Sequence, residues 1–143
     1  MDLKVFLIWF MTVTFWGISS IMEKVGLKTV SPLMGLFIRT FFSLVGLSIT
    51  VFLLEREKIL TLQLREVLIL CGSGLLGGFL GMLGYFSLLK AKEASLVVPL
   101  TASYPLVSTL LAVVLLKEPL TLYKILGTIL VILGLFLLFR GSS

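Results

Sequence analysis

The sequence predicts an all-α membrane protein, a polytopic bundle of about five transmembrane helices. Composition is the first reason: of the 143 residues 59% are hydrophobic and 13% charged, against about 45 to 50% and about 25% in ordinary soluble domains. The second is where the charges fall. They divide the chain into five long apolar stretches, each near the roughly 20 residues that a helix needs to cross about 30 Å of hydrocarbon. The third is that the connections are short apart from Glu55 to Glu66, so successive helices are antiparallel neighbours.

The first span runs from about Leu3 to Met22 and ends at Glu23-Lys24. Lys4 followed by Val5 to Met22 imitates a signal peptide, but the stretch is long and no small-x-small cleavage pattern follows. The second runs from Pro32 to Leu54, with Ser31 as N-cap and Pro32 at the first helical position, where its missing N–H is no loss. It ends in the cluster Glu55-Arg56-Glu57-Lys58. The third fills the gap between Glu66 and Lys90, and the fourth the gap between Glu93 and Lys117. The fifth runs from about Leu120 to Phe139, with Lys124 close enough to its end to snorkel. Residues 1–140 read as one five-helix domain and residues 141–143 as a tail without structural role.

The formal charge of +5 does not point to nucleic acid, because the 12 basic residues stand singly between apolar blocks and form no basic face. With Cys71 the single cysteine and no histidine, an intrachain disulfide, a Cys/His metal site and a Ser-His-Asp triad are excluded. No enzymatic activity, metal or cofactor is expected. An odd number of spans puts the termini on opposite sides. One side then carries Lys4, Arg56, Lys58, Arg65, Lys117 and Lys124, and the other Lys24, Lys28, Lys90, Lys92 and Arg140. Six against five gives almost no orienting signal: either a few well-placed residues fix one orientation, or the chain inserts both ways.

On the first helix Thr12, Trp16, Ser19, Ser20 and Glu23 share one face, and on the fourth Thr101, Tyr104, Pro105 and Ser108 do the same. Pro105 removes a backbone bond and is the expected kink. These residues either line a solute cavity or bond their own helices and pack. Six glycines crowd the third helix, with GxxxG spacing at Gly74/Gly78 and Gly77/Gly81, mainly a signal of close helix packing; Gly81 is a candidate hinge, and Tyr85 one turn beyond it can reach a cavity. Arg39 is the single ionisable residue well inside a span, about 10 Å beyond Pro32. It either snorkels back toward Ser31 or faces a carboxylate or solute inside the bundle, with Glu23 and Glu93 as available partners. A central buried acid is absent, which leaves Glu23 and Glu118, at helix ends, as the candidates for ion coupling.

Trp16-Gly17, Pro32, Arg39, Lys90-Ala91, Pro105 and the run Leu116-Lys117-Glu118-Pro119-Leu120-Thr121 leading to Gly127 resemble, in order and spacing, the EamA-type domain of the drug/metabolite transporter superfamily, over about residues 8–139. Members of that superfamily commonly join two inverted repeats of about five helices and move metabolites, amino acids or drugs. This sequence holds one such unit, and inverted repeats need an oppositely oriented partner. The resemblance therefore implies an antiparallel homodimer in the lipid bilayer of a prokaryotic plasma or inner membrane. Gly127 to Leu135 also resembles the glycine-spaced dimerisation helix of the small multidrug resistance family, which makes Gly127 and Gly134 the expected dimer contact. That family's central glutamate in the first helix has no counterpart here, so its drug/proton exchange is not carried over.

The expected function is secondary transport of a small metabolite, amino acid or drug-like solute by alternating access. Trp16, Ser19, Ser20, Arg39, Tyr85, Thr101, Tyr104 and Ser108 are the expected cavity residues. A subunit of a lipid-carrier flippase working with another chain, or a non-transporting membrane scaffold, are the alternatives.

Overall fold

The computed structural model describes residues 2–141; Ser142 and Ser143 of the expected tail lie outside them, and Gly141 is the last residue of a helix. Five helical spans among the described residues are long and apolar enough to cross a membrane, and these residues include no strand. The protein is a multi-pass membrane protein. Its chain divides into two compact units, Met1–Ala91 and Lys92–Ser143.

The first unit opens with α1 (Leu3–Gly26) and α2 (Pro32–Leu54). A short 3-10 stretch, Arg56–Thr61, fills the longest connection. The third span, Leu64–Ala91, consists of α3 (Leu64–Ser73), a π-helical segment (Gly74–Gly81) and α4 (Met82–Ala91). The start of α2 is built as expected, with Pro32 at the first position and Ser31 Oγ accepting from the Met34 N–H at 3.3 Å. Helix α1 continues past the end of its apolar stretch because Glu23 and Lys24 find partners inside the unit. Lys24 Nζ donates to the Leu89 carbonyl at 2.6 Å, and Lys90 Nζ donates to that of Val30 at 2.7 Å.

These lysine bonds stitch one end of the unit, and the buried apolar side chains gather there. Leu27, Leu36, Phe86 and Leu89 are at most 3% exposed, where α1 and α2 pack on α4. A Cβ at Gly35 would lie 2.9 Å from Leu27 Cδ2 and 3.4 Å from the Phe86 ring, so the missing side chain sets how closely the helices approach. Gly35→Val should therefore destabilise the unit by about 1 to 3 kcal/mol, the usual effect of overpacking. Gly46→Val on the same helix, where the added atoms meet open space, should stay close to wild type. Thermal unfolding of both variants in one detergent checks the contrast.

Away from that end, large apolar side chains such as Phe42, Leu53 and Leu76 are exposed, as suits a surface whose solvent is lipid. The third span has a feature that the glycine spacing does not predict. Its π-helical segment runs through Gly74, Gly77, Gly78 and Gly81, and i→i+5 bonding widens the turn. Glycines four apart still lie near one another on the surface of such a segment. Gly72, Gly74, Gly77, Gly78 and Gly84 all have open space where a Cβ would stand.

The second unit holds α5 (Ala94–Thr101), α6 (Tyr104–Leu116) and α7 (Leu122–Gly141). The fourth span, Ala94–Leu116, is interrupted by a two-residue turn at Ala102-Ser103, beside the proline where the sequence suggests a kink; both residues keep near-helical dihedrals, φ −65° and −80°. Pro105 is the second residue of α6, and Pro99 lies inside α5, where it cannot donate to the carbonyl four residues back. Two prolines six residues apart thus straddle the turn. Hydroxyls cover carbonyls beside it: Ser103 Oγ donates to Leu100 at 2.6 Å and Thr101 Oγ1 to Val97 at 2.8 Å. Lys117, left-handed at φ 55°, turns the chain out of α6, and α7 packs on α5.

Candidate functional site

A polar node joins three helices of the first unit. Arg39 of α2 reaches Glu23 of α1, Nε to Oε1, at 2.9 Å. Ser19, one turn before Glu23, donates its hydroxyl to the same oxygen at 3.2 Å. Tyr85 of α4 stands close enough to Glu23, Ser20 and Arg39 for its hydroxyl to interact electrostatically with them. Ser20 is buried, and its own proton goes to the Gly17 carbonyl at 2.8 Å.

The placement follows from helix geometry. Glu23 lies near the end of α1 and Arg39 about 10 Å into α2, and an arginine side chain leans toward its helix N-terminus. Arg39 does lean that way, but its destination is the Glu23 carboxylate. Gly35, one turn earlier on α2, admits Leu27 and Phe86 and so brings α2 against its neighbours at this level. A bare arginine at mid-bilayer costs about 2.5 to 3.5 kcal/mol on insertion scales; pairing with Glu23 offsets much of that.

The node is asymmetric. The Glu23 side chain is 12% exposed and the Arg39 side chain 42%. The carboxylate is enclosed by its partners, whereas the outer edge of the guanidinium stays open. Trp16, one turn before Ser20 on the same stripe of α1, is 66% exposed, like most large apolar side chains of that helix.

Among the expected site residues, Ser19, Ser20, Glu23, Arg39 and Tyr85 thus come together, with Trp16 beside them along α1. Thr12 of the same stripe bonds its own backbone, donating to Ile8. Gly81 ends the π-helical segment, and a Cβ there would lie 3.3 Å from the Leu76 carbonyl.

The remaining candidates belong to the second unit. Thr101 bonds within α5, as the packing alternative expects. Tyr104 opens α6 with its ring exposed. Ser108 lines a shallow cleft with Thr109, Ala112, Val113, Glu118 and Lys124. Glu118 pairs with Lys124 at 3.5 Å, and Lys124 Nζ also donates to the Pro119 carbonyl at 3.1 Å. Gly127 and Gly134 leave an open face on α7, with nothing within 4 Å of either added Cβ. The described residues include no group of three or more His, Cys, Asp or Glu side chains that could hold a metal ion.

Sequence reasoning missed Gly35, Pro99 and the π-helical segment. Pro99 was visible as a second helix breaker, and Gly35 stands one turn from Arg39.

Comparison with known proteins bears on what this arrangement does. The profile of the EamA-like transporter family matches residues 3–140. An uncharacterized transporter of Archaeoglobus fulgidus is 28% identical over 132 residues, covering 90% of this chain and 45% of that protein. An uncharacterized protein of Methanocaldococcus jannaschii is 41% identical over 83 residues, covering 57% of this chain and 54% of that protein. In each case the match covers only about half the length of the curated relative. No solved structure matches it significantly.

Proposed function

This chain belongs to the EamA-like transporter family, and on that premise we propose that it carries a small polar or amphipathic solute across the membrane by alternating access, as an antiparallel pair of identical copies. The observation that carries this reading is the half-open Arg39–Glu23 node, a charged pair kept inside an apolar bundle at a known energetic penalty. Two irregular spans add support. Transporter sites commonly use irregular or discontinuous helices, and here the fourth span carries a two-residue turn at Ala102-Ser103 while the third passes through a π-helical segment.

The six-to-five balance of basic residues favours insertion in both orientations, and a second, inverted copy then supplies the opposing half of the transport unit. The open glycine face of α7 is the contact we assign to the pair. Arg39 holds the solute, Ser19, Ser20 and Tyr85 shape the polar end of its site, and Glu23 is the residue through which occupancy is coupled. We regard Glu118 as a weaker coupling candidate, because it pairs with a lysine of its own unit. The archaeal relatives support assignment to a prokaryotic cell membrane.

A thermal-shift screen of the purified chain against metabolite and drug panels tests the reading, since a compound that binds the folded state raises its apparent stability. A transporter should return a related set of stabilising compounds. A scaffold should return none, and that result would remove the transport proposal.

A further inference from the structure

We infer that the solute taken by this site is an amphipathic monoanion, an organic carboxylate on a flat apolar body, bound by the outer edge of Arg39 and the ring of Trp16. The inference rests on the transport reading above and names its substrate class.

Three observations select it. The first is which charge is available. Glu23 already receives Arg39 and Ser19 and is 12% exposed, so a cationic solute would have to strip it of those partners. Arg39 meets Glu23 through Nε and remains 42% exposed, and a guanidinium has five donors in a planar fork that matches a carboxylate. A second anion can dock on the open edge.

The second is charge balance. Arg39 and Glu23 sum to zero, so a monoanion leaves the occupied node with one net negative charge and a dianion leaves it with two. At the depth of Arg39 each uncompensated charge is expensive, so among anions a singly charged head is preferred to a doubly charged one.

The third is the apolar surface beside the node. Trp16 precedes Glu23 by seven residues on one face of α1, about 10 Å along the helix, and it is 66% exposed. A solute whose carboxylate sits on Arg39 would lay its apolar body along α1 toward this ring. Glu23 acts in this scheme as a built-in competitor, holding the guanidinium until the solute's carboxylate shares it.

The test uses probes that keep one body and change the head: 4-phenylbutyrate, its amide, 4-phenylbutylamine, and acetate as the bare head. With the full-length chain in detergent, 4-phenylbutyrate is expected to raise the melting temperature by several degrees, the amide and amine are expected to give no shift, and acetate is expected to bind at least about tenfold more weakly, as loss of the apolar contact implies. Trp16→Ala should weaken 4-phenylbutyrate binding. Glu23→Gln, which removes the competing charge, should tighten it several-fold. Weaker binding in Glu23→Gln overturns the competitor role. A shift from the amine or amide equal to that of the carboxylate overturns the anion assignment while leaving transport intact. Silence from all four probes also overturns the assignment, and the broader screen then decides the transport reading separately.

Discussion

Replacing Arg39 with lysine is expected to cut solute uptake by about tenfold or more, equivalent to at least about 1.4 kcal/mol of lost binding, nearly as severely as replacing it with glutamine. The reason is the division of labour on the guanidinium. Nε faces Glu23 at 2.9 Å, and the open edge is left for the solute. A lysine ammonium is a compact point charge without that fork, so it can satisfy Glu23 or the solute but not both. The variants should differ in stability. Arg39→Lys keeps a cation beside Glu23 and should melt close to wild type, whereas Arg39→Gln leaves the enclosed carboxylate uncompensated and should melt lower. Uptake at matched expression, with melting curves of the same preparations, separates the cases. Full uptake in Arg39→Lys would make this residue an interfacial anchor.

The second large effect is expected on α7. Gly127→Leu and Gly134→Leu together should convert a dimer in mild detergent to monomers and abolish uptake. The two glycines share a face, two turns apart, and each has open space where a Cβ would stand. Without a hydrophobic effect to drive association in lipid, close backbone approach through small residues is what holds helices together, and two leucines would hold them apart. Because neither position touches another part of the chain within 4 Å of the added atom, the monomer should keep its fold. Cross-linking and light scattering read the result. An unchanged dimer would move the contact elsewhere, with the unfilled glycines of the third span as the next candidate.

Much of this was legible in the sequence because membrane insertion imposes coarse rules. Span length, the Ser31-Pro32 start and the depth of Arg39 follow from hydropathy, capping and rise per residue. Pairing was legible only to a choice: Glu23 and Glu93 were both available to Arg39, and the register of α1 against α2 selects Glu23. The shared stripe of Ser19, Ser20 and Glu23 was visible in the sequence. That Tyr85 closes the node from α4 was not, because the angle at which α4 crosses α1 leaves no periodic trace.

The failures have local causes. The spacing of Gly74/Gly78 and Gly77/Gly81 points to a small-residue face but not to the π-helical turns that carry it, because the same glycines also let the backbone leave 3.6 residues per turn. Pro105 predicts a kink, and the two-residue turn at Ala102-Ser103 lies between it and Pro99. Gly35 matters through what reaches it from Leu27 and Phe86, which no local pattern records.

The most direct test of the central claim is counterflow. Proteoliposomes loaded with an unlabelled compound that stabilises the purified protein should transiently concentrate the labelled compound from outside, and vesicles carrying Arg39→Gln should not. That overshoot requires a carrier that exposes one site alternately to each side. A protein that binds the compound tightly yet gives only the leak of empty vesicles would contradict transport and leave the Arg39–Glu23 node as a binding site in a membrane scaffold.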